Sequence, residues 1–249
     1  MGSNNNSIEN ACRILQIMAE CFNGLNLTEV SQKLDIHKST AYRYLSTLEE
    51  FRFLEKKENR YSLGLKIFEM GNRVPVIKLI SEKVHPLLLE FGFLFNETIS
   101  LGVLSDESVV VLERIEKGRS VINQVYVGTK IPVYCTGLGK AILAALPPDR
   151  LEQVLAKVKF EPFTPQTIIR LEELMADIEE TRKRGFSIDN SEYAEELRCV
   201  GVPLTLDKFA FHGAISVTSL KSRLDAERVR HISHHLQDSL AKFMEQRFT

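Results

Sequence analysis

Near the start of the chain, Ala11, Ile14, Leu15 and Met18 recur at intervals of three and four residues. That spacing predicts an amphipathic helix over residues 8–20 that buries one stripe. "FNGLN" breaks the pattern, and Thr28 is placed to cap a second short helix at 29–34, with Glu29 at its positive end. "DIH" is a turn of three residues, and a third helix runs from 38 to 50. Ala41, Leu45 and Leu48 form its apolar stripe, while Ser39, Tyr42, Arg43 and Ser46 line a second, polar stripe. Beyond it, "FRFLEKKENRYSLG" alternates apolar and polar residues around a "KKEN" turn, the pattern of a two-stranded hairpin. Three helices followed by a basic hairpin predict a winged helix-turn-helix domain over residues 8–64.

Residues 65–73 read as helix, Pro75 interrupts it, and another helix covers 78–93. Residues 65–84 are therefore expected to form a helical linker. From 85 to 249 the pattern changes. "ETISLGVL" and "SVVVLERIE" form a hairpin around "SDE", and "GFSID", "CVGVPLTL" and "GAISVTSL" are further short strands. Helices are expected at about 139–145, 149–157, 168–184 and 226–246. Hairpins mixed with long helices, without strict alternation, predict an α+β domain.

Composition narrows the class. With 249 residues, 44% hydrophobic and 26% charged, the chain has ample material for two packed domains. It holds no apolar run long enough to cross a membrane. "MGSNNNS" lacks the basic and apolar segments of a signal peptide, so residues 1–7 are read as a disordered leader. Cys12, Cys21, Cys135 and Cys199 show no CxxC spacing, which argues against a disulfide framework or zinc ribbon and for a reducing cytoplasm. The net charge of −1 is uninformative, but its distribution is not. Between residues 33 and 66, eight Lys/Arg face five Asp/Glu, so a basic patch sits on an otherwise acidic chain.

The two stripes of the third helix suit a DNA major groove: the apolar one anchors the helix and the polar one reaches the duplex. Arg43 has the planar fork that matches guanine, Lys38 neutralises a phosphate, and Ser39 and Tyr42 donate to phosphates or bases. Thr28 and Thr40 join them at the helix starts, and Lys56, Lys57 and Arg60 on the hairpin would follow the backbone. A protein-interaction adaptor would use the same face differently, and it stands as an alternative, as does a DNA-recruited enzyme acting on a small acid. Against the enzyme, the sequence has no GxSxG and no HExxH.

"LTEVSQKLDIHKSTAYRYLSTLEEFRFLEKKENRYSLGLKIFEMG" resembles the DNA-binding domain of the isocitrate lyase regulator (IclR-type) bacterial transcription factors. "PVYCTGLGKAILA", "GFSIDNSEYAEELRCVGVPL" and "AISVTSL" resemble that family's effector domain. The resemblance covers nearly all of the chain from Ile8 onward. It implies a GAF-like effector-binding and oligomerisation domain at 85–249, a homodimer or tetramer, a palindromic double-stranded DNA operator and control by a small carboxylate, with repression as the expected mode. It places effector contacts at Gly137, Leu138, Asp189, Cys199, Ser216 and Thr218. Where the family has alanine or serine beside the glycine turn, this chain has Cys135 and Thr136. The wording of several blocks is nearest to members that govern sugar-acid breakdown.

The residues themselves make chemical sense of such a pocket. "YCTGLGKAIL" is a glycine-rich turn entering a helix, where free N–H groups attract a carboxylate; close helix packing is the other reading of its glycines. It is neither a phosphate-binding P-loop, since Tyr134 stands where the first glycine belongs, nor a dinucleotide fingerprint, since Ile142 stands where the third does. Asp189 beside an anion is unfavourable unless it accepts from ligand hydroxyls, which favours a hydroxylated acid. "RHISHH" has helical ligand spacing at His231, His234 and His235, but a solvated helix face explains it and no metal or cofactor is expected.

Overall fold

A computed structural model describes residues 6–117 and 125–248. The chain divides into two compact units, 1–78 and 79–249. In the first, α1 (Asn6–Ala19), α2 (Leu27–Leu34) and α3 (Lys38–Glu50) precede a hairpin of β1 (Leu54–Lys57) and β2 (Arg60–Leu63) and the short α4 (Leu65–Gly71). Ile14, Met18, Val30, Ala41, Leu45, Leu48, Leu54 and Tyr61 form one core, to which α1, α2, α3 and both strands contribute, while α4 buries no residue. Leu25 exchanges both backbone hydrogen bonds with Tyr61, tying the segment before α2 to the hairpin.

Two sequence expectations need correction here. Asn6 and Ser7, read as leader, are the first residues of α1, while residues 1–5 of that leader lie outside the described residues. Thr28 does not cap α2. Asn26 does: its Oδ1 accepts from Glu29 N at 2.9 Å, and Glu29 Oε2 accepts from Asn26 N at 2.7 Å. This reciprocal box satisfies two donors that a helix start leaves orphaned, and it moves the helix start two residues upstream, leaving Thr28 half-buried in the first turn.

α5 (Pro75–Phe95) follows α4 after a short turn. Pro75 is its first residue, where a missing N–H is harmless. In the second unit, β3 (Thr98–Ser105), β4 (Ser108–Ile115), β5 (Lys130–Pro132), β6 (Ser187–Asn190), β7 (Leu197–Leu206) and β8 (Phe211–Leu220) form one antiparallel sheet in the order β5-β4-β3-β8-β7-β6. β5, which periodicity did not reveal, is an edge strand of three residues containing proline.

α6 (Gly137–Ala145) crosses one face of the sheet over β6, β7, β8 and β3, backed by α8 (Leu171–Arg184), and α7 (Pro148–Leu155) adds Leu151 and Val154 to the same core. α9 (Ala226–Phe248) packs on the opposite face, where His235 meets Phe91 and Phe95 of α5 edge-on. His235 is thus a packed ring, not part of a solvated row. The fold is α+β in both halves.

Candidate functional site

Two sites take shape, one in each unit. In the first, His37 caps α3 through Nδ1, which accepts from Ser39 N, and the buried Ala41, Leu45 and Leu48 fix the helix's rotation. That rotation leaves Lys38, Ser39, Tyr42 and Arg43 exposed together, with Thr40 half-buried beside them. On the hairpin, Lys56 and Lys57 are exposed, and Lys56 lies near enough to Tyr42 to interact with it electrostatically, so hairpin and α3 share one surface. Arg60 departs from expectation. Its guanidinium donates to the carbonyls of Asn23 and Gly24 at 2.9 and 2.8 Å and pairs with Glu29 at 3.2 Å. It clamps the loop before α2, while its side chain stays 46% exposed.

In the second unit, strand register assembles the other site. Asp189 pairs with Cys199, Cys199 with Thr218, and Thr218 with Thr98, forming one row across the sheet. Two residues along each strand, Gly201 pairs with Ser216, Ser216 with Ser100, and Ser100 with Arg114. Because side chains alternate, both rows face the same side. α6 enters from above, and a cavity of about 30 Å³ lies between, lined by Gly137, Leu138, Asp189, Cys199, Ser216 and Thr218 together with Arg114, Tyr193 and Thr136. Such a space takes one or two waters, so a larger ligand must displace wall side chains.

The glycines have a packing role as well. A Cβ on Gly139 would stand 2.2 Å from the Val133 carbonyl oxygen, and one on Gly137 would stand 2.9 Å from Cys199 Cβ. Gly137 lets α6 approach β7, and Gly139 lets it fold back against the turn that leads into it. Thr136 caps the helix by accepting from Gly139 N at 3.1 Å, which leaves the N–H groups of Gly137 and Leu138 as the orphan donors of the first turn. Lys140 is buried, its Nζ 2.6 Å from Glu192 Oε1 and 3.0 Å from Asp177 Oδ2. Burial alone would lower its pKa, but the two carboxylates outweigh it and hold the ammonium above its usual value. This lysine fastens α6 to α8 and to the segment after β6.

Electrostatics in the cavity differ from expectation at Asp189. Burial pushes its carboxyl up to about 7, against the Glu192 N–H that donates to Oδ1 at 2.8 Å. Near neutral pH a large fraction is therefore protonated, able to donate to an oxygen as well as accept from a hydroxyl, so the conflict with an anionic ligand is eased. Burial also raises the Cys199 thiol well above its usual range, and Cys199 Sγ sits 3.2 Å from Thr218 Oγ1. Cys199 is thus a neutral wall residue.

Arg114 was not found from the sequence. Simple alternation along β4 would place it on the face opposite Val111. The register instead runs Gly102↔Val111 and then Leu101↔Glu113, so Leu112 is an extra residue and Arg114 swings to the Val111 side. Such a bulge re-aims every side chain beyond it. Glu113 in turn points to the other face and meets His85 of α5.

Comparison with known proteins follows the same division. The IclR helix-turn-helix domain matches residues 7–58, and the bacterial transcriptional regulator IclR C-terminal domain matches residues 73–243. The chain is 30% identical to the HTH-type transcriptional regulator XynR of Escherichia coli (strain K12) over 235 residues, which is 94% of this chain and 93% of that one. It is 32% identical to the HTH-type transcriptional regulator KdgR of the same strain over 220 residues, covering 87% and 83% of the two. A solved IclR transcriptional regulator from Alicyclobacillus acidocaldarius superposes with a TM-score of 0.81 at 25% identity, covering 97% of this chain and 98% of that one.

Proposed function

The chain belongs to the IclR family of bacterial transcriptional regulators, a DNA-binding regulator and not an enzyme, and from that premise we propose how it is controlled. A small hydroxylated carboxylic acid, of the sugar-acid class, binds the cavity under α6 and sets the affinity of the α3 surface for a palindromic operator upstream of catabolic genes. The observation that carries this is the convergence on one cavity of the Gly137–Leu138 turn, Asp189, Cys199, Ser216 and Thr218, drawn from four separated segments. The orphan N–H groups favour a carboxylate, and Asp189, Ser216 and Thr218 supply partners for hydroxyl oxygens. A ligand shifts the DNA-binding equilibrium only through contacts that differ between the two states, and one cavity joining four segments is suited to that. No helix among the described residues is long and apolar enough to cross a membrane, in keeping with action in the cytoplasm. The exposed Leu65, Phe68 and Met70 on α4 support pairing with a second copy, as a two-fold operator requires.

The test is a titration of a fluorescent fragment of the DNA upstream of its own gene, with and without sugar acids. Thr218→Val is expected to weaken the response to acid while leaving acid-free DNA affinity intact. Arg43→Ala is expected to weaken specific binding by about 1–3 kcal/mol and to leave non-specific binding nearly unchanged. A Thr218→Val protein that responds like the parent removes the cavity from the mechanism, and equal losses on both DNAs make Arg43 a phosphate clamp only.

A further inference from the structure

Arg114 is a cation that the family resemblance does not place in the site. Its side chain is 6% exposed, and it lines the same cavity as the six residues named above. The bulge at Leu112 is what brings it there. A buried guanidinium is costly unless it is paired. Its partner is Glu116, whose Oε1 accepts from Nε at 2.8 Å, but Glu116 is 48% exposed and so partly screened by solvent. That contact occupies one of five N–H donors. The end-on pair of Nη groups is the edge that grips a carboxylate with two parallel bonds.

The cavity thus has two anion-attracting ends. One is the first turn of α6, seated over β7, where Gly137 packs on Cys199 and Gly201. The other is Arg114 on β4. β4 and β7 lie three strand spacings apart, about 14 Å at ~4.8 Å each, and less where the sheet curls. An extended arginine covers about 6 Å of that span, leaving a gap that a chain of about six carbons bridges. Asp189 does not oppose a second negative group, because burial keeps much of it neutral near pH 7.

We infer that Arg114 is a specificity-determining residue that holds a second anionic group, so the preferred effector is a hydroxylated dicarboxylate, with one carboxylate on the α6 turn and the other on Arg114. The inference rests on the reading that the cavity is the effector site. A monoacid with a hydroxymethyl group at its far end would leave the guanidinium without its strong partner.

Calorimetric titration of the full chain with glucarate and gluconate tests this, because the two acids share a carbon chain and differ in whether the far end is a carboxylate. Four- and five-carbon acid pairs of the same kind extend the comparison to other lengths. For at least one pair, the diacid is expected to bind about tenfold tighter or more, the ratio that one charge-assisted bond supplies. Arg114→Gln is expected to abolish that ratio by lowering diacid affinity more than monoacid affinity. Arg114→Lys, which keeps the buried charge without the fork, retains part of it and stands in if the glutamine variant does not fold. If the acids bind and Thr218→Val weakens them, yet the diacid to monoacid ratio is near one or ignores Arg114, the cavity reading survives and this inference falls. If no acid of any length binds the wild type, both fall.

Discussion

Asp189→Asn keeps the shape of the cavity wall and removes its titrating group, so it isolates the consequence of burying a carboxyl there. Asp189 is 2% exposed, and its pKa rises from 3.8 to about 7 on folding, chiefly through loss of solvation. Between those values the unfolded chain has released the proton and the folded chain still holds it. The folded state then binds more protons, and stability falls as pH rises. The contribution is complete below the unfolded pKa and gone once pH has passed the folded one. A difference of about three pH units corresponds to about 4 kcal/mol, of which about 2–3 kcal/mol lies between pH 5 and pH 8.

The assay is urea unfolding of both proteins across that range. The asparagine variant is expected to gain on the wild type by that amount, with the gap levelling off above pH 7. Taking the difference between the two proteins cancels the other titrating groups, which are common to both. A gap that stays flat would refute the reasoning. A wild type that gains on the variant as pH rises would show more: the Glu192 N–H and Lys140 would then hold Asp189 ionised despite its burial.

Lys140→Met should destabilise the second unit by about 3–5 kcal/mol in denaturant unfolding, because it takes the cation from the buried Glu192 and leaves Asp177 with only Arg184, at 3.7 Å; adding Glu192→Gln should recover part of the loss. Gly139→Ala should cost about 1–3 kcal/mol, since its Cβ meets the Val133 carbonyl at 2.2 Å and the helix must shift to admit it. Arg60→Ala should lower thermal stability and leave the salt dependence of DNA binding unchanged, whereas Lys57→Ala should reduce the slope of log K against log salt by about one. Equal slopes for the two variants would return Arg60 to the DNA surface.

What the sequence made legible depends on how far apart the deciding residues lie. The two stripes of α3 are set by a period of 3.6 within thirteen residues, so Ala41, Leu45 and Leu48 turn inward and Lys38, Ser39, Tyr42 and Arg43 outward as that period requires. The clamp made by Arg60 was not legible because its partners, Asn23, Gly24 and Glu29, are more than thirty residues away, and local charge says nothing of such contacts. The second unit gives the same lesson at larger scale. All its strands but β5 were visible in composition, but which residues share a face depends on register, and register on a single extra residue in β4. Leu112 reverses the parity of all that follows it, sending Arg114 to the cavity and Glu113 to His85 of α5. A cavity residue and a contact to α5 therefore sit side by side in the chain, on opposite faces of one strand. Deleting Leu112 should close the bulge and leave those faces as they are, whereas one further residue inserted there should exchange them, destroying the cavity and the α5 contact together, which is why a site of this kind is written in register more than in motif.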